Sequence, residues 1–158
     1  GQPGEGWKVA MALLGFERGV STLGQQMHFS HELQLLLEVA RANGAAQNPA
    51  IRQRIADAWI GLQGLRYNGL RMLEDDTGST KVRPEALIYK YAWSNWHRDL
   101  GQLAMDVIGV AGDVRSDEDA VRRLQQVFFF SRSDTIYAGT NEIQLNIISE
   151  RGLGMPRG

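Results

Sequence analysis

No cysteine occurs in the chain. Its absence rules out disulfides and thiolate metal sites and fits a reducing compartment, so the cytoplasm is the expected location. Long apolar runs are missing too: none approaches the ~18–20 residues that a membrane span needs. The opening Gly1-Gln2-Pro3-Gly4-Glu5-Gly6 has neither the basic start nor the apolar stretch of a secretory signal. Charge of one sign does not dominate, since 17 basic and 18 acidic side chains leave a net charge of −1. That balance and its even spread carry no nucleic-acid footprint. No strand pair, internal repeat or low-complexity tract interrupts the pattern.

What is there is a globular composition. The 158 residues are 43% hydrophobic and 22% charged, enough for one domain, 1–158, with a real core. Helical periodicity runs through most of it. The segment 5–43 places Val9, Leu13, Phe16, Val20, Leu23 and Met27 at spacings of four and three, a seam of the bundle kind. Asn43-Gly44 is a stop signal, and Asn48-Pro49 opens a second helix with Asn48 as cap. That helix runs over 49–74 through Ile51, Ile55, Trp59, Leu62, Leu65, Leu70 and Leu73 to a polar turn at 75–80.

A third helix over 84–112 carries Leu87, Tyr91, Trp93, Leu100, Leu103 and Val107. Ser116 reads as the cap of a shorter helix, with Asp117, Glu118 and Asp119 in the first turn where the dipole favours them. A last helix spans 140–152. The expectation is all-α: an up-down four-helix bundle with one extra short helix. Gly61, Gly64, Gly69, Gly101 and Gly109 interrupt the helices at roughly 0.5–1 kcal/mol each. Either helices approach closely there, or a ligand or partner lies against the backbone.

The chain is organised around Asp134-Thr135-Ile136-Tyr137-Ala138-Gly139-Thr140-Asn141-Glu142-Ile143-Gln144. Gly139 can take positive φ, Thr140 suits an N-cap, and Asn141 with Gln144 has the spacing of a capping box. Ile143 and Ile147 follow on one face. A newly capped helix start can hold a phosphate or carboxylate, or it is simply how a last helix begins.

The string IYAGTNEIQLNIISERGLGMPR resembles the C-terminal signature of the acyl-CoA dehydrogenases, flavoenzymes that desaturate acyl-CoA thioesters between Cα and Cβ. Many members carry a catalytic glutamate where this chain has Ala138. A branch that includes isovaleryl-CoA dehydrogenase carries it instead on the first helix of this domain, immediately before an arginine. Leu14-Gly15-Phe16-Glu17-Arg18 stands at the matching place. The resemblance therefore implies Glu17 as base, the Ala138 backbone N–H as a donor to the thioester oxygen, and Arg18 in support at the substrate. An ordinary glutamate on a half-exposed helix flank is the plainer reading of Glu17.

The resemblance further implies FAD as cofactor, with Thr140 and Glu142 near it. Asp106 stands where many members have a glutamine before a glycine-rich run, here Gly109-Val110-Ala111-Gly112, that holds the neighbouring subunit's flavin. Arg41-Ala42-Asn43-Gly44 replaces their Arg-x-x-Phe-Gly, and Ser131-Arg132-Ser133 replaces part of their Arg-Asp-Ala-Lys. Acyl-CoA, an electron-accepting protein and a dimer-of-dimers assembly, homo- or hetero-oligomeric, are the implied partners.

The resemblance covers the whole chain but about the last two-fifths of a family member, so the chain alone is expected to be an inactive part of a larger flavoprotein. Two other readings remain. One is a non-catalytic or half-site subunit acting as a helical interaction bundle. The other, a di-metal carboxylate bundle, needs Glu-x-x-His motifs, and none of His28, His31 and His97 lies three residues after a glutamate.

Overall fold

A computed structural model describes the backbone of residues 1–20, 22–73 and 84–156, and their side chains except 14–20, 22, 23, 73 and 84. Six α-helices follow one another: α1 Gly6–Val20, α2 Thr22–Ala42, α3 Pro49–Leu73, α4 Pro84–Ile108, α5 Asp119–Asp134 and α6 Asn141–Ile147. The expected first helix is thus described as two segments on either side of Ser21. Among the described residues there is no strand. The polar turn at 75–80 lies outside them.

Local chemistry sets several ends. Asn48 caps α3, its Oδ1 accepting the Ala50 N–H at 2.9 Å, with Pro49 as the first helical residue. α4 stops at Gly109, whose φ of +64° suits the residue after a helix, and a 3₁₀ turn Gly109–Gly112 continues the chain. Ser116 does not cap α5. Its Oγ accepts the Glu118 N–H at 3.1 Å within a turn, and the helix starts at Asp119 without a side-chain cap.

Side-chain ties fix the directions. Gln26 meets Tyr89, Glu32 meets His97, and Asn43 donates to the Val107 carbonyl at 2.8 Å, so α2 and α4 run parallel. Arg54 meets Asp106 and Ala58 meets Trp96, so α3 runs against α4. Gln125 reaches the Gly112 carbonyl while Arg132 reaches that of Arg98, so α5 also runs against α4. The four bundle helices are therefore α2, α3, α4 and α5. The extra short helix is the last one, α6, which a single π turn Ile148–Gly152 extends.

The core is Phe29, Leu33, Leu36 and Ala40 of α2, Ile51, Ile55, Leu62 and Leu65 of α3, Trp93, Leu100, Leu103 and Val107 of α4, and Val121 and Leu124 of α5. The seam expected on the first segment is not buried: Val9, Leu13 and Met27 are exposed, and the buried line starts at Gln26 and Phe29. Phe16, Val20 and Leu23 lie outside the described side chains. Trp59 and Leu70 of α3 are exposed as well, because α3 meets neighbours along one narrow stripe only.

Close approach explains two of the helical glycines. A Cβ on Gly101 would lie 3.0 Å from Phe128 Cα and against Ser131 Oγ, and one on Gly61 would lie 2.6 Å from the Trp96 ring. Gly64 and Gly109 face open space.

Candidate functional site

The loop between α5 and α6 is tightly held except at three consecutive N–H groups. Ile136 and Tyr137 N–H both donate to the Ser133 carbonyl, at 2.9 and 3.1 Å, and Asn141 N–H donates to that of Thr135 at 2.9 Å. Gln144 Nε2 donates to the Ala138 carbonyl at 3.1 Å. Gly139 has φ +88°, as expected, but Ala138 is also left-handed at +53°, a conformation that costs a non-glycine residue roughly 1–2 kcal/mol. Among the described residues nothing accepts the N–H of Ala138, Gly139 or Thr140. A strained loop with three consecutive unengaged donors is the kind of feature that accompanies a site.

Thr140 is the N-cap of α6, its Oγ1 accepting the Ile143 N–H at 3.3 Å. The capping box on Asn141 and Gln144 does not form, because both side chains are used elsewhere. Asn141 Oδ1 accepts from Ser94 Oγ at 2.9 Å and from Lys90 Nζ at 3.1 Å, while Gln144 turns back to Ala138. The amphipathic order of α6 is accordingly inverted. Asn141 and Gln144 are 7% and 2% exposed, whereas Ile143 and Leu145 are 50% and 48%. Glu142 lies on the open side, its carboxyl held below the usual range by its own backbone N–H and then by the Thr140 hydroxyl.

The remaining expected residues fall elsewhere. Asp106 forms an ion pair with Arg54 at 2.6 Å, close to the open Gly109 turn, and the exposed Arg41 ends α2 on the same side, where Asn43 binds Val107. Lys90, beneath Asn141, and Asp106 are sixteen residues apart on α4, about 24 Å along its axis. Thr140 and Glu142 at one end, and Asp106, Gly109 and Arg41 at the other, therefore cannot meet in one small pocket of this chain. Glu17 and Arg18 belong to α1 by backbone, but their side chains lie outside the described residues.

One cluster had no counterpart in the expectations. His97, 2% exposed, sits between two carboxylates: its Nε2 is 2.8 Å from Glu32 Oε2, and its Nδ1 hydrogen-bonds Asp134 Oδ2. Glu32 Oε1 in turn meets the exposed His28 at 3.0 Å. Burial by itself would lower the imidazole pKa, but the bonds to Asp134 and Glu32 outweigh it and raise it to about 9. The ring therefore carries a proton at neutral pH and donates from both nitrogens. Asp134 is fully buried, and its Oδ1 has no hydrogen-bond partner among the described residues. Burial and the Asp134 charge push the Tyr137 phenol up to about 12, and burial lowers the Lys90 pKa against the pull of Asp134 and Glu142. The sequence signal was present: His97 continues the buried Trp93–Leu100–Leu103 stripe of α4, a charged residue where core belongs. A groove of about 720 Å³ between α2 and α5, lined by His28, Glu32, Phe129, Phe130 and Ser133 among others, opens onto the outer end of this cluster.

A helical bundle whose last loop presents backbone donors beside a capped helix is what the acyl-CoA dehydrogenases build at their C-terminus. The family model for the acyl-CoA dehydrogenase C-terminal domain matches residues 4–153, and the chain belongs to that family. It is 51% identical over 158 residues to acyl-CoA dehydrogenase IpdE1 of Mycobacterium tuberculosis, covering 99% of this chain and 40% of the relative. The corresponding protein of Mycolicibacterium smegmatis is 49% identical over 158 residues, covering 99% and 38%. The chain thus spans about two-fifths of the length of these curated relatives. Among solved structures, the Tcur3481-Tcur3483 steroid ACAD superposes with a TM-score of 0.79 at 24% identity, over 100% of this chain and 42% of that one. A variant of the same protein gives 0.78. That likeness shows the shared fold. No helix among the described residues is long and apolar enough to cross a membrane.

Proposed function

We propose that this chain is the C-terminal domain of an FAD-dependent, cytoplasmic acyl-CoA dehydrogenase, with Glu17 as the base that removes the α-proton of a bound acyl-CoA. The observation that carries the reading is the unengaged Ala138 N–H in its strained loop. Removal of an α-proton builds negative charge on the thioester oxygen, and a fixed backbone donor stabilises that charge whatever side chain residue 138 carries. The alanine methyl leaves room for a carboxylate arriving from α1, and Arg18 supports the substrate. Closure of the site by the rest of the protein would raise the Glu17 pKa towards the working range of a base.

FAD, when bound, supplies the acceptor for the β-hydride. Thr140 and Glu142 would lie against the flavin of the same subunit. Asp106, Gly109 and Arg41, at the far end of the bundle, would lie against that of a neighbour. The open backbone at Gly109 and the separation of the two sets favour this division between subunits. The reading includes a dimer of dimers, homo- or hetero-oligomeric, that passes electrons to an acceptor protein.

Ala138 favours a second reading, a half-site subunit of a mixed assembly, since the loop carboxylate of many family members is absent. One experiment separates the two. The full-length protein is mixed anaerobically with acyl-CoAs from short straight chains to steroid-bearing ones, while flavin absorbance is followed in wild type and Glu17→Gln. Bleaching in wild type and a loss of at least about 100-fold in the variant support Glu17 as base. Equal rates mean that the base lies elsewhere, and a protein that holds no flavin and never bleaches favours the half-site reading.

A further inference from the structure

We propose that His97 is a positioning residue for the 135–140 loop: held between Glu32 and Asp134, it fixes the end of α5 from which that loop springs, and so the direction of the Ala138 N–H. This rests on the site reading above and adds to it a part that the loop itself does not contain. Three helices meet at the imidazole, α2 through Glu32, α4 through His97 and α5 through Asp134. Asp134 is the last residue of α5, and the Ala138 donor lies four residues on. The loop's backbone bonds run back to Ser133 and Thr135, and Gln144 of α6 holds the Ala138 carbonyl from the other side, so the orientation of the α5 end is passed to the first half of the loop.

The other side of the loop is anchored independently by Lys90 and Ser94 on Asn141. Two anchors, both rooted in α4, therefore bracket the strained pair Ala138 and Gly139. A protonated imidazole suits this role better than an apolar side chain. It satisfies one oxygen of each carboxylate with fixed geometry, whereas an apolar residue would take the hydrogen-bonded cation away from the fully buried Asp134. The titratable and charged groups around the ring are Glu32 with His28 behind it on α2, Asp134 and Arg132 on α5, Tyr137 on the loop and Lys90 on α4 itself. Within that set, His97 is the group that touches both Glu32 and Asp134.

The test uses the full-length protein with His97→Gln and, as a milder change that keeps the volume, Glu32→Gln. Amide hydrogen exchange is read at Ile136, Tyr137 and Asn141, the loop amides that are hydrogen-bonded in wild type, and, as an internal reference, over the core of α4. Flavin reduction and acyl-CoA dissociation constants are read on the same samples. The expected result is loop exchange faster by about tenfold or more with the α4 reference unchanged, a positional loosening and not global unfolding. Flavin reduction should slow by about tenfold or more at a dissociation constant within about twofold of wild type, since misplacement of a donor acts on the transition state. Loop exchange equal to wild type in both variants overturns the proposal. So does a loop that loosens only in step with α4. If His97→Gln does not fold, Glu32→Gln decides by the same criteria. If wild type reduces no flavin with any acyl-CoA, the site reading fails separately, and the exchange data alone decide the role of His97.

Discussion

His97 shows how a single side chain can carry a charge that burial alone would forbid. Burial disfavours the imidazolium, yet two carboxylates at hydrogen-bonding distance more than restore it. The sign of the consequence follows from linkage. The folded-state pKa, about 9, lies above the ordinary value of 6.5, so the stabilisation is complete below about pH 6.5 and is lost as pH rises through about 9. The shift bounds the effect at about 3 kcal/mol. Urea denaturation of the full-length protein between pH 6 and 10 should show this alkaline loss, and His97→Gln should flatten it. A wild-type stability that does not fall above pH 8 would mean that the ring is neutral in the fold.

At the level of elements, the α4–α5 crossing matters most, because it joins the buried cluster to the loop. It is close enough that Gly101 has no room for a methyl group against Phe128 and Ser131. Ser131 Oγ donates to the Phe128 carbonyl at 2.9 Å, and the Arg132 guanidinium stacks on the Phe128 ring while donating to the Arg98 carbonyl. The Ser131-Arg132-Ser133 departure from the common family pattern thus has a packing consequence in this chain. Gly101→Ala should destabilise by about 1–3 kcal/mol, the usual cost of overpacking, and move α5 outward. A thermal melt gives the stability, and loop amide exchange reports the displacement. Unchanged melting and exchange would show that the helices slide apart without cost.

On the scale of the whole molecule, the chain leaves much apolar surface uncovered. Trp7, Val9, Met11 and Leu13 on α1, Phe129 and Phe130 on α5, Ile136 in the loop, and Ile143 and Leu145 on α6 are all exposed. Patches of this kind mark surfaces that associate. The 158 residues expressed alone should therefore elute above monomer size at tens of micromolar by size-exclusion chromatography, and Phe129→Ser with Phe130→Ser should reduce this. Monomeric elution of the unaltered chain at that concentration would contradict it.

Much of this architecture was legible in local chemistry. Periodicity and caps are properties of neighbouring residues, so Asn48-Pro49, the positive φ at Gly139 and the Thr140 cap could be read directly, whereas the third helix, expected to reach 112, ends at Ile108. The all-α bundle followed from them, and the loop signature pointed to the family. Tertiary structure decided what depends on residues far apart. It set which apolar line is buried, so that Phe29, Leu33 and Leu36 lie inside while Val9 and Leu13 do not. It made α5 the fourth bundle helix, turned α6 polar face inward, and brought residues 32, 97 and 134 together. A helical period says that a residue lies on a stripe, but only the packing of that stripe against others decides whether the residue is buried, paired or charged.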